Sequence, residues 1–387
     1  LEVTSNPDSP AMPEQPRVGF TDEEQAERVL GFLRTIGLQR DFAPLLVRMG
    51  HGTRSQNNPN LAAYDCCACS GSHGGPNARA FATMANRPKV RTLLQARGCN
   101  IPADTWFLGA EHDTCNEDIS WYDLDQLPQS LTRAFSQLQQ DLAVAVLGSA
   151  HERARRLASA PRSPTRQRIL RHIMGRAADF SQVRPELGHA TNAAALIGRR
   201  AVTQGAFFDR RVFLISYEPN QDPEGTVLEA ILLAAGPVGA GINLEYYFST
   251  VNNERYGCGT KVTHNVTGLF GVMDGTSSDL RTGLPKQMIE IHEAMRLQVV
   301  VEASIEVLTK IYQRQPPLQE LIGNGWLLLS AIDPDSGAIQ VFKPDSGFHP
   351  WEGNLTPLPT VRQSAEWYDG HTGPLTPALI AAEATHA

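Results

Sequence analysis

The sequence predicts an α/β fold: a mostly parallel sheet flanked by helices, with a helical hairpin inserted in it. Three observations carry the prediction. The apolar run 43–49, APLLVRM, leads into a glycine-rich loop and then into helical text. The run 211–217, RVFLISY, is followed in the same order by the turn-rich EPNQDPEGT and the helical TVLEAILLAAG. Strand, loop and helix in that succession, used twice, are the signature of parallel strands covered by helices. Between these blocks, from about Leu127 to Arg176, Gln, Arg, Ala and Leu accumulate on both sides of the interruption APRSPT, as expected of two helices packed as a hairpin.

Taken in order, residues 1–20 hold four prolines and read as a linker. Thr21, with Glu24 three positions later, forms a capping box for an amphipathic helix over TDEEQAERVLGFLRTIG, and Gly37 offers its stop. The 43–49 run reads as a short buried strand, after which Gly50 and Gly52 on either side of His51 permit a sharp turn. A helix is expected from Pro76 or Asn77 through RAFATMAN, and another over PKVRTLLQARG, with Pro88 in its first turn and Gly98 at its end. TWFLGAEHDT, 105–114, reads as a strand ending in Glu111, His112 and Asp113. Further on, 236–283 is again rich in Gly and Asn, WLLLSAI and IQVFK flank DPDSGA as a β-hairpin, and the tail beyond Pro350 is loop-rich. The expected organisation is therefore a linker (1–20), an α/β segment with half a metal site (21–126), a helical insertion (127–190) and a second α/β segment that completes the pocket (191–387). The two Gly-rich regions are expected to converge there. No internal repeat is visible.

With 387 residues, 41% hydrophobic and 19% charged, the chain has the composition of a globular protein with one large domain or two ordinary ones. A net charge of -7 and a pI near 5.9 give no general attraction to phosphate backbones, so no nucleic acid partner is expected. The basic clusters HERARRL and RQRILRH are expected to be solvated helix faces. Leu1 opens a polar run without the basic start and apolar centre of a signal peptide, and the absence of an initiator Met suggests a partial or processed chain. The most apolar window, 227–251, is cut by Glu229, Asn243 and Glu245. Its uncharged part, 230–244, is 15 residues long, short of the roughly 20 that cross a bilayer, so no transmembrane helix is expected.

Cysteines stand at 66, 67, 69, 99, 115 and 258, three of them within four positions, unlike the spacing of a disulfide framework, and a reducing cytoplasm suits them better. A histidine and a thiolate at the end of a strand suit a soft or borderline cation, zinc above all. A lone histidine such as His51 is more ordinarily a hydrogen-bonded structural residue. Cys66 and Cys69 form C-x-x-C, open to zinc, to a redox pair or to part of an iron–sulfur cluster, whereas buried free thiols are the plain reading of Cys67, Cys69 and Cys99. The glycines of SGSHGGPNAR either permit a tight turn or offer backbone N–H groups and a helix dipole to an anion. Glu111, His112 and Asp113 are candidates for a general base or for a carboxylate that orients a metal-bound histidine. Cys258 and His264 are a further candidate ligand pair, and no G-x-S-x-G nucleophile elbow occurs.

GHGTRSQNNPNLAAYDCCACSGSHGGPNARA resembles the G-H-G-S, N-N-P, A-Y-D-C-x-A-C and G-P-N-A-R signature of the DabA family of inorganic carbon transporter subunits. So do RRVFLISYEP, INLEYYFSTVNNERYGCGTKVTHNVTGLFGVMDG and SDLRTGLPKQMIEIHEAMRL. The likeness runs from about Val47 to Leu297 and corresponds to the C-terminal portion of a longer protein. It implies a β-carbonic-anhydrase-like fold and one zinc ion (Zn2+) held by a Cys-x-Asp pair, a His and a second Cys. His51 matches that His and Cys66 that second Cys. No cysteine here has Asp two positions later, so the Cys-x-Asp pair, and the Arg that partners its Asp, fall outside this chain. Asp65 is expected to support the metal ligands, and the Gly-rich turn with Asn77 and Arg79 to shape an oxyanion pocket. The resemblance further implies zinc-dependent hydration of CO2 to bicarbonate. The subunit would be peripheral, on the cytoplasmic face of the inner membrane, coupled to DabB, an antiporter-like membrane partner that translocates cations. A redox or iron–sulfur protein using Cys66 and Cys69 is the alternative.

Overall fold

The computed structural model describes residues 3, 19–54, 72–162, 165–179, 182, 185–260, 273–274, 279–280, 283–293 and 295–381. The chain divides into two compact units, one of Leu1–Gln56 and Asn60–Leu147, the other of Asn57–Pro59 and Gly148–Ala387.

In the first unit, helix α1 (Asp22–Thr35) begins at the capping box read from the sequence. Thr21 Oγ1 accepts from the Glu24 N–H at 3.2 Å, and Glu24 Oε2 accepts from the Thr21 N–H at 2.8 Å. Its buried Ala26, Val29, Leu30 and Leu33 recur at helical spacing. They pack on Phe81, Ala82 and Ala85 of α2 (Gly75–Asn86) and on Val90 and Leu94 of α3 (Pro88–Ala96). Thr21→Ala is expected to remove about 1 kcal/mol by orphaning the first-turn donors, a loss that a urea titration of this unit reads directly.

Strand β1 (Leu45–Gly52) pairs in parallel with β2 (Trp106–Asp113), and β3 (Ile119–Trp121) adds antiparallel to β2, in the order β1-β2-β3. The register sets Gly50 opposite Glu111 and His51 opposite His112. Two expectations are corrected here. The strand runs on through His51 and Gly52 instead of turning at them, and it is only half-buried, because β1 pairs with a single strand among the described residues. Arg48 on β1 covers the aromatic core, its guanidinium 3.8 Å from the Phe32 ring centre and 4.5 Å from that of Phe81.

Helix α4 (Thr132–Ala154) carries the chain into the second unit, where α5 (Arg166–Ala177) follows. Both helices of the expected hairpin form. The buried face of α5, Ile169, Ile173 and Arg176, engages other segments, with Arg176 donating to Glu290 at 2.9 Å and to Ser159 Oγ at 2.8 Å. The solvated-face expectation holds for Arg168 and Arg171 and fails for Arg153 and Arg155, which are buried. Acidic partners distant in sequence neutralise the Arg155 and Arg156 region: Asp209 pairs with Arg155, and Glu293 with Arg156 at 2.8 Å.

The strands of this unit are β4 (Ala194–Gly198), β5 (Ala206–Phe207), β6 (Val212–Ser216), β7 (Met273–Asp274), β8 (Asp279–Leu280), β9 (Leu297–Glu302), β10 (Leu327–Ile332), β11 (Ile339–Lys343), β12 (Gly347–Pro350), β13 (Thr360–Val361) and β14 (Ala378–Ile380). Six of them form one sheet in the order β12-β11-β10-β9-β4-β6, parallel from β10 to β6, with the predicted β10–β11 hairpin antiparallel beside them. The remainder make two small sheets, so the chain is mixed α/β with several sheets, the largest mostly parallel.

Helices α6 (Thr226–Val251), α7 (Ile305–Arg314) and α8 (Pro316–Gly323) supply Leu228, Leu232, Leu308, Ile311, Leu318 and Ile322 to the core formed with Ile197, Val299, Val301 and Leu329 of the sheet. Helix α6 reaches well into the Gly- and Asn-rich stretch that begins at residue 236. It continues through Pro237 for 26 residues, about 39 Å at 1.5 Å per residue. It is thus long and apolar enough to cross a membrane by length and composition, which the 15-residue count had excluded. The same helix packs Leu228, Leu232 and Ala240 into the core of its unit, as the core helix of a globular domain does.

Candidate functional site

His51, Glu111, His112, Asp113, Asn77 and Arg79, all singled out in the sequence, lie at the carboxyl ends of β1 and β2 and in the first turns of α2, whereas Cys99 and Cys258 lie elsewhere. His51 is exposed, and its carbonyl accepts from the Gly74 N–H at 2.7 Å. Gly50 is what lets α2 come so close. A Cβ on Gly50 would stand 2.3 Å from the carbonyl carbon of Gly74 and 2.6 Å from the Gly75 nitrogen. Gly75 is as tightly held: a Cβ on it would lie 2.1 Å from Tyr122 Oη and 2.2 Å from Glu111 Oε2.

Glu111, 2% exposed, is the centre of this arrangement. Its Oε1 accepts from Arg54 Nη2 at 2.9 Å and stands 3.3 Å from His73 Nδ1, and its Oε2 accepts from the Gly75 N–H at 3.0 Å. Burial pushes the Glu111 carboxyl up, but the Arg54 guanidinium, His73 and the Gly75 N–H outweigh it and hold the group below the ordinary carboxylate range. Burial and the Glu111 charge push the Tyr122 phenol up. Asp113, also buried, accepts from the backbone N–H groups of Arg54 at 3.2 Å and Cys115 at 3.0 Å. These bonds do not fully offset its desolvation, and its carboxyl is raised. His112 Nε2 lies 2.7 Å from Glu117 Oε2, and Thr53 Oγ1 lies 3.0 Å from Cys115 Sγ.

Several sequence readings change on this geometry. The helix N-terminus that was a candidate anion site gives its Gly75 N–H to the protein's own Glu111. Arg79, expected at an oxyanion pocket, donates to both oxygens of Asp123, at 2.8 and 2.5 Å, and holds that carboxyl below its ordinary range. Asn77 is exposed on the first turn of α2. Glu111 and Asp113 are buried hydrogen-bonding hubs, and His112 is engaged by Glu117. Cys99, Cys115 and Cys258 are buried and unbridged, and burial raises the Cys99 thiol. Asp65, Cys66, Cys67, Cys69 and His264 lie outside the described residues, as do 55–71 of the first Gly-rich region and 261–272, 275–278 and 281–282 of the second. Arg54, His73 and Tyr122, which complete the cluster around Glu111, carry no local signal in the sequence; a hydrogen bond between residues 57 positions apart leaves none.

Among the described residues, no three His, Cys, Asp or Glu side chains are grouped to hold a metal ion. Of the two ligands the resemblance names, only His51 is described: an exposed residue at a strand end, with a glycine on either side.

The family model described as "Probable inorganic carbon transporter subunit DabA" matches residues 2–327. Curated relatives bearing that description include a protein of Methylococcus capsulatus, 65% identical over 373 residues, which are 96% of this chain and 35% of the relative. One of Dechloromonas aromatica is 60% identical over 380 residues, 98% of this chain and 38% of the relative. One of Nitrosococcus oceani is 56% identical, covering 96% of this chain and 34% of the relative. The chain thus spans little more than a third of the length of these relatives. No solved structure matches it.

Proposed function

The chain belongs to the DabA family, and on that premise we propose that it forms part of a subunit for energy-coupled uptake of inorganic carbon, in which His51 and Cys66 are two of the ligands of one zinc ion. The observation that carries this reading is the placement of His51, an exposed imidazole at the carboxyl end of a parallel strand, where ligands collect in open α/β sheets, at the head of the segment leading to Cys66. Imidazole and thiolate are the donors zinc prefers. The other two ligands, a Cys-x-Asp pair, belong to sequence outside this chain, and the fold around the site is read as β-carbonic-anhydrase-like.

Bound zinc supplies Lewis acidity that brings the pKa of water to about 7, as hydration of CO2 to bicarbonate at neutral pH requires. The residues of this chain do the holding. His51 offers its imidazole from the rigid end of β1, and the Glu111 and Asp113 network anchors the chain on both sides of residues 55–71. The subunit works from the cytoplasmic face of the inner membrane with a DabB-like, antiporter-like partner whose cation flux drives net accumulation.

The test uses the full-length protein with His51→Ala and Cys66→Ala. Metal analysis of the purified protein is expected to find zinc in the wild type and less than a tenth as much in either variant, and inorganic carbon accumulation in cells falls to that of cells without the protein. Undiminished zinc and accumulation in the variants overturn the assignment. Iron with visible absorbance in the wild type favours the redox or iron–sulfur reading on Cys66 and Cys69 instead.

A further inference from the structure

We propose that Glu111 is the positioning residue of this site, a buried carboxylate that fastens the chain on both sides of residues 55–71 to β2 and so fixes the two points between which the Cys66 segment is strung. The proposal rests on the zinc reading above for its consequence, though not for its geometry. On the near side, Arg54 is fastened twice: its guanidinium donates to Glu111 at 2.9 Å, and its backbone N–H donates to Asp113 at 3.2 Å. On the far side, the Gly75 N–H donates to Glu111 at 3.0 Å, and His73 Nδ1 stands 3.3 Å from the same carboxylate. The Gly74 N–H closes the clasp onto the carbonyl of His51 itself, at 2.7 Å.

Structural filler does not account for a charge at this position. Burying a carboxylate is costly unless several donors meet it, and an apolar side chain would fill the space more cheaply. What only a carboxylate can do here is accept from the donors of two chain segments at once. Arg54 and Gly75 are 57 and 36 positions from Glu111 in sequence, one before and one after the span that carries Cys66. Closing a loop before a ligand binds removes the entropy that binding would otherwise have to overcome. Partners that act behind a metal ligand are worth roughly 10- to 100-fold in metal affinity.

The experiment compares full-length wild type, Glu111→Gln and Arg54→Gln. The second variant guards against misfolding of the first, since the Arg54 side chain is 59% exposed. Three quantities are read: zinc lost to a competing chelator, the rate of tryptic cleavage after Arg54 in wild type and Glu111→Gln, and the thermal midpoint. Both variants are expected to surrender zinc at roughly 10- to 100-fold lower chelator concentration, and Glu111→Gln to be cut faster after Arg54, with a midpoint showing that the protein is still folded. Zinc held as tightly as in wild type by either folded variant overturns the proposal, whatever the cleavage rate. A wild type that holds no zinc overturns the zinc reading instead, and the clasp then stands or falls on the cleavage rate alone.

Discussion

Gly50→Ala is expected to be among the most damaging single-methyl changes in the first unit. The added carbon would sit 2.3 Å from the Gly74 carbonyl carbon, 2.5 Å from its oxygen and 2.6 Å from the Gly75 nitrogen. All three are backbone atoms, so no side chain can swing aside; the end of β1 and the start of α2 must separate. Forcing a well-packed contact apart costs about 1–3 kcal/mol. Separation also lengthens the Gly74 to His51 bond, 2.7 Å, and the Gly75 to Glu111 bond, 3.0 Å. Leaving a buried carboxylate short of a donor adds about 1–3 kcal/mol. Against a total stability of about 5–15 kcal/mol for an ordinary domain, the sum is a large fraction. Urea unfolding is expected to show the lowered midpoint, and metal analysis of the full-length protein to show zinc loss. The control is Gly31→Ala on α1, where an added Cβ meets nothing within 4 Å. There alanine is expected to stabilise by about 0.5–1 kcal/mol through helix propensity. A Gly50→Ala protein that unfolds with the wild type would show that the contact between Gly50 and the Gly74–Gly75 backbone is not held in solution.

Gly50 also marks where sequence reasoning stops. Read locally, Gly50 and Gly52 are turn formers, so the strand was expected to end before His51. In the structure they are strand residues whose missing side chains admit other parts of the fold: Gly74 and Gly75 against Gly50, and Glu111 against Gly52, where a Cβ would lie 2.7 Å from Oε1. A glycine kept for close approach and a glycine kept for a turn look the same in one dimension. Helix α1 was legible because its signals, the capping box and the i, i+3, i+4 apolar spacing, are local. The β10–β11 hairpin was legible for the same reason. Of helix α6 only TVLEAILLAAG is legible as helical; the helix runs on through Pro237, where one hydrogen bond is forfeited. The burial of Leu232 and Ala240 in the same core, on either side of that proline, outweighs the lost bond and cannot be seen locally. Of the site, His51 was legible from its motif, whereas Glu111 looked like an ordinary polar strand end. Its importance comes from Arg54 and Gly75, which only the parallel pairing of β1 with β2 and the return of α2 bring to it.

The second large effect is expected at Asp209 in the other unit, where basic residues read as solvated turn out to be buried. Asp209 is 1% exposed. It pairs with Arg155, lies 3.8 Å from Arg156, and accepts from the Leu375 N–H at 2.8 Å, while Glu293 pairs with Arg156 at 2.8 Å and Arg211 at 2.7 Å. Three guanidinium groups thus face two carboxylates, and neutralising one carboxylate raises the excess of positive charge from one to two. Burial and the neighbouring Arg156 already push Arg155 down to about 10, which still leaves it protonated at neutral pH, so it cannot escape the penalty by losing its proton. Removing one partner of such a pair costs roughly 3–5 kcal/mol. Asp209→Asn is the right substitution, because Asp209 has a left-handed backbone, φ 53°, which asparagine adopts readily and alanine does not, so the change isolates the charge. The expected result is a urea midpoint for this unit lowered by an amount equivalent to roughly 3–5 kcal/mol with an unchanged slope. Pairing Asp209→Asn with Arg155→Met should recover part of the loss, since an uncharged neighbour no longer needs the carboxylate. If Asp209→Asn unfolds within about 0.5 kcal/mol of wild type, as substitutions at ordinary surface sites do, water reaches the cluster. The tail residues bound to it, His371 and Gly373 through Arg155 and Leu375 through Asp209, would then need another anchor.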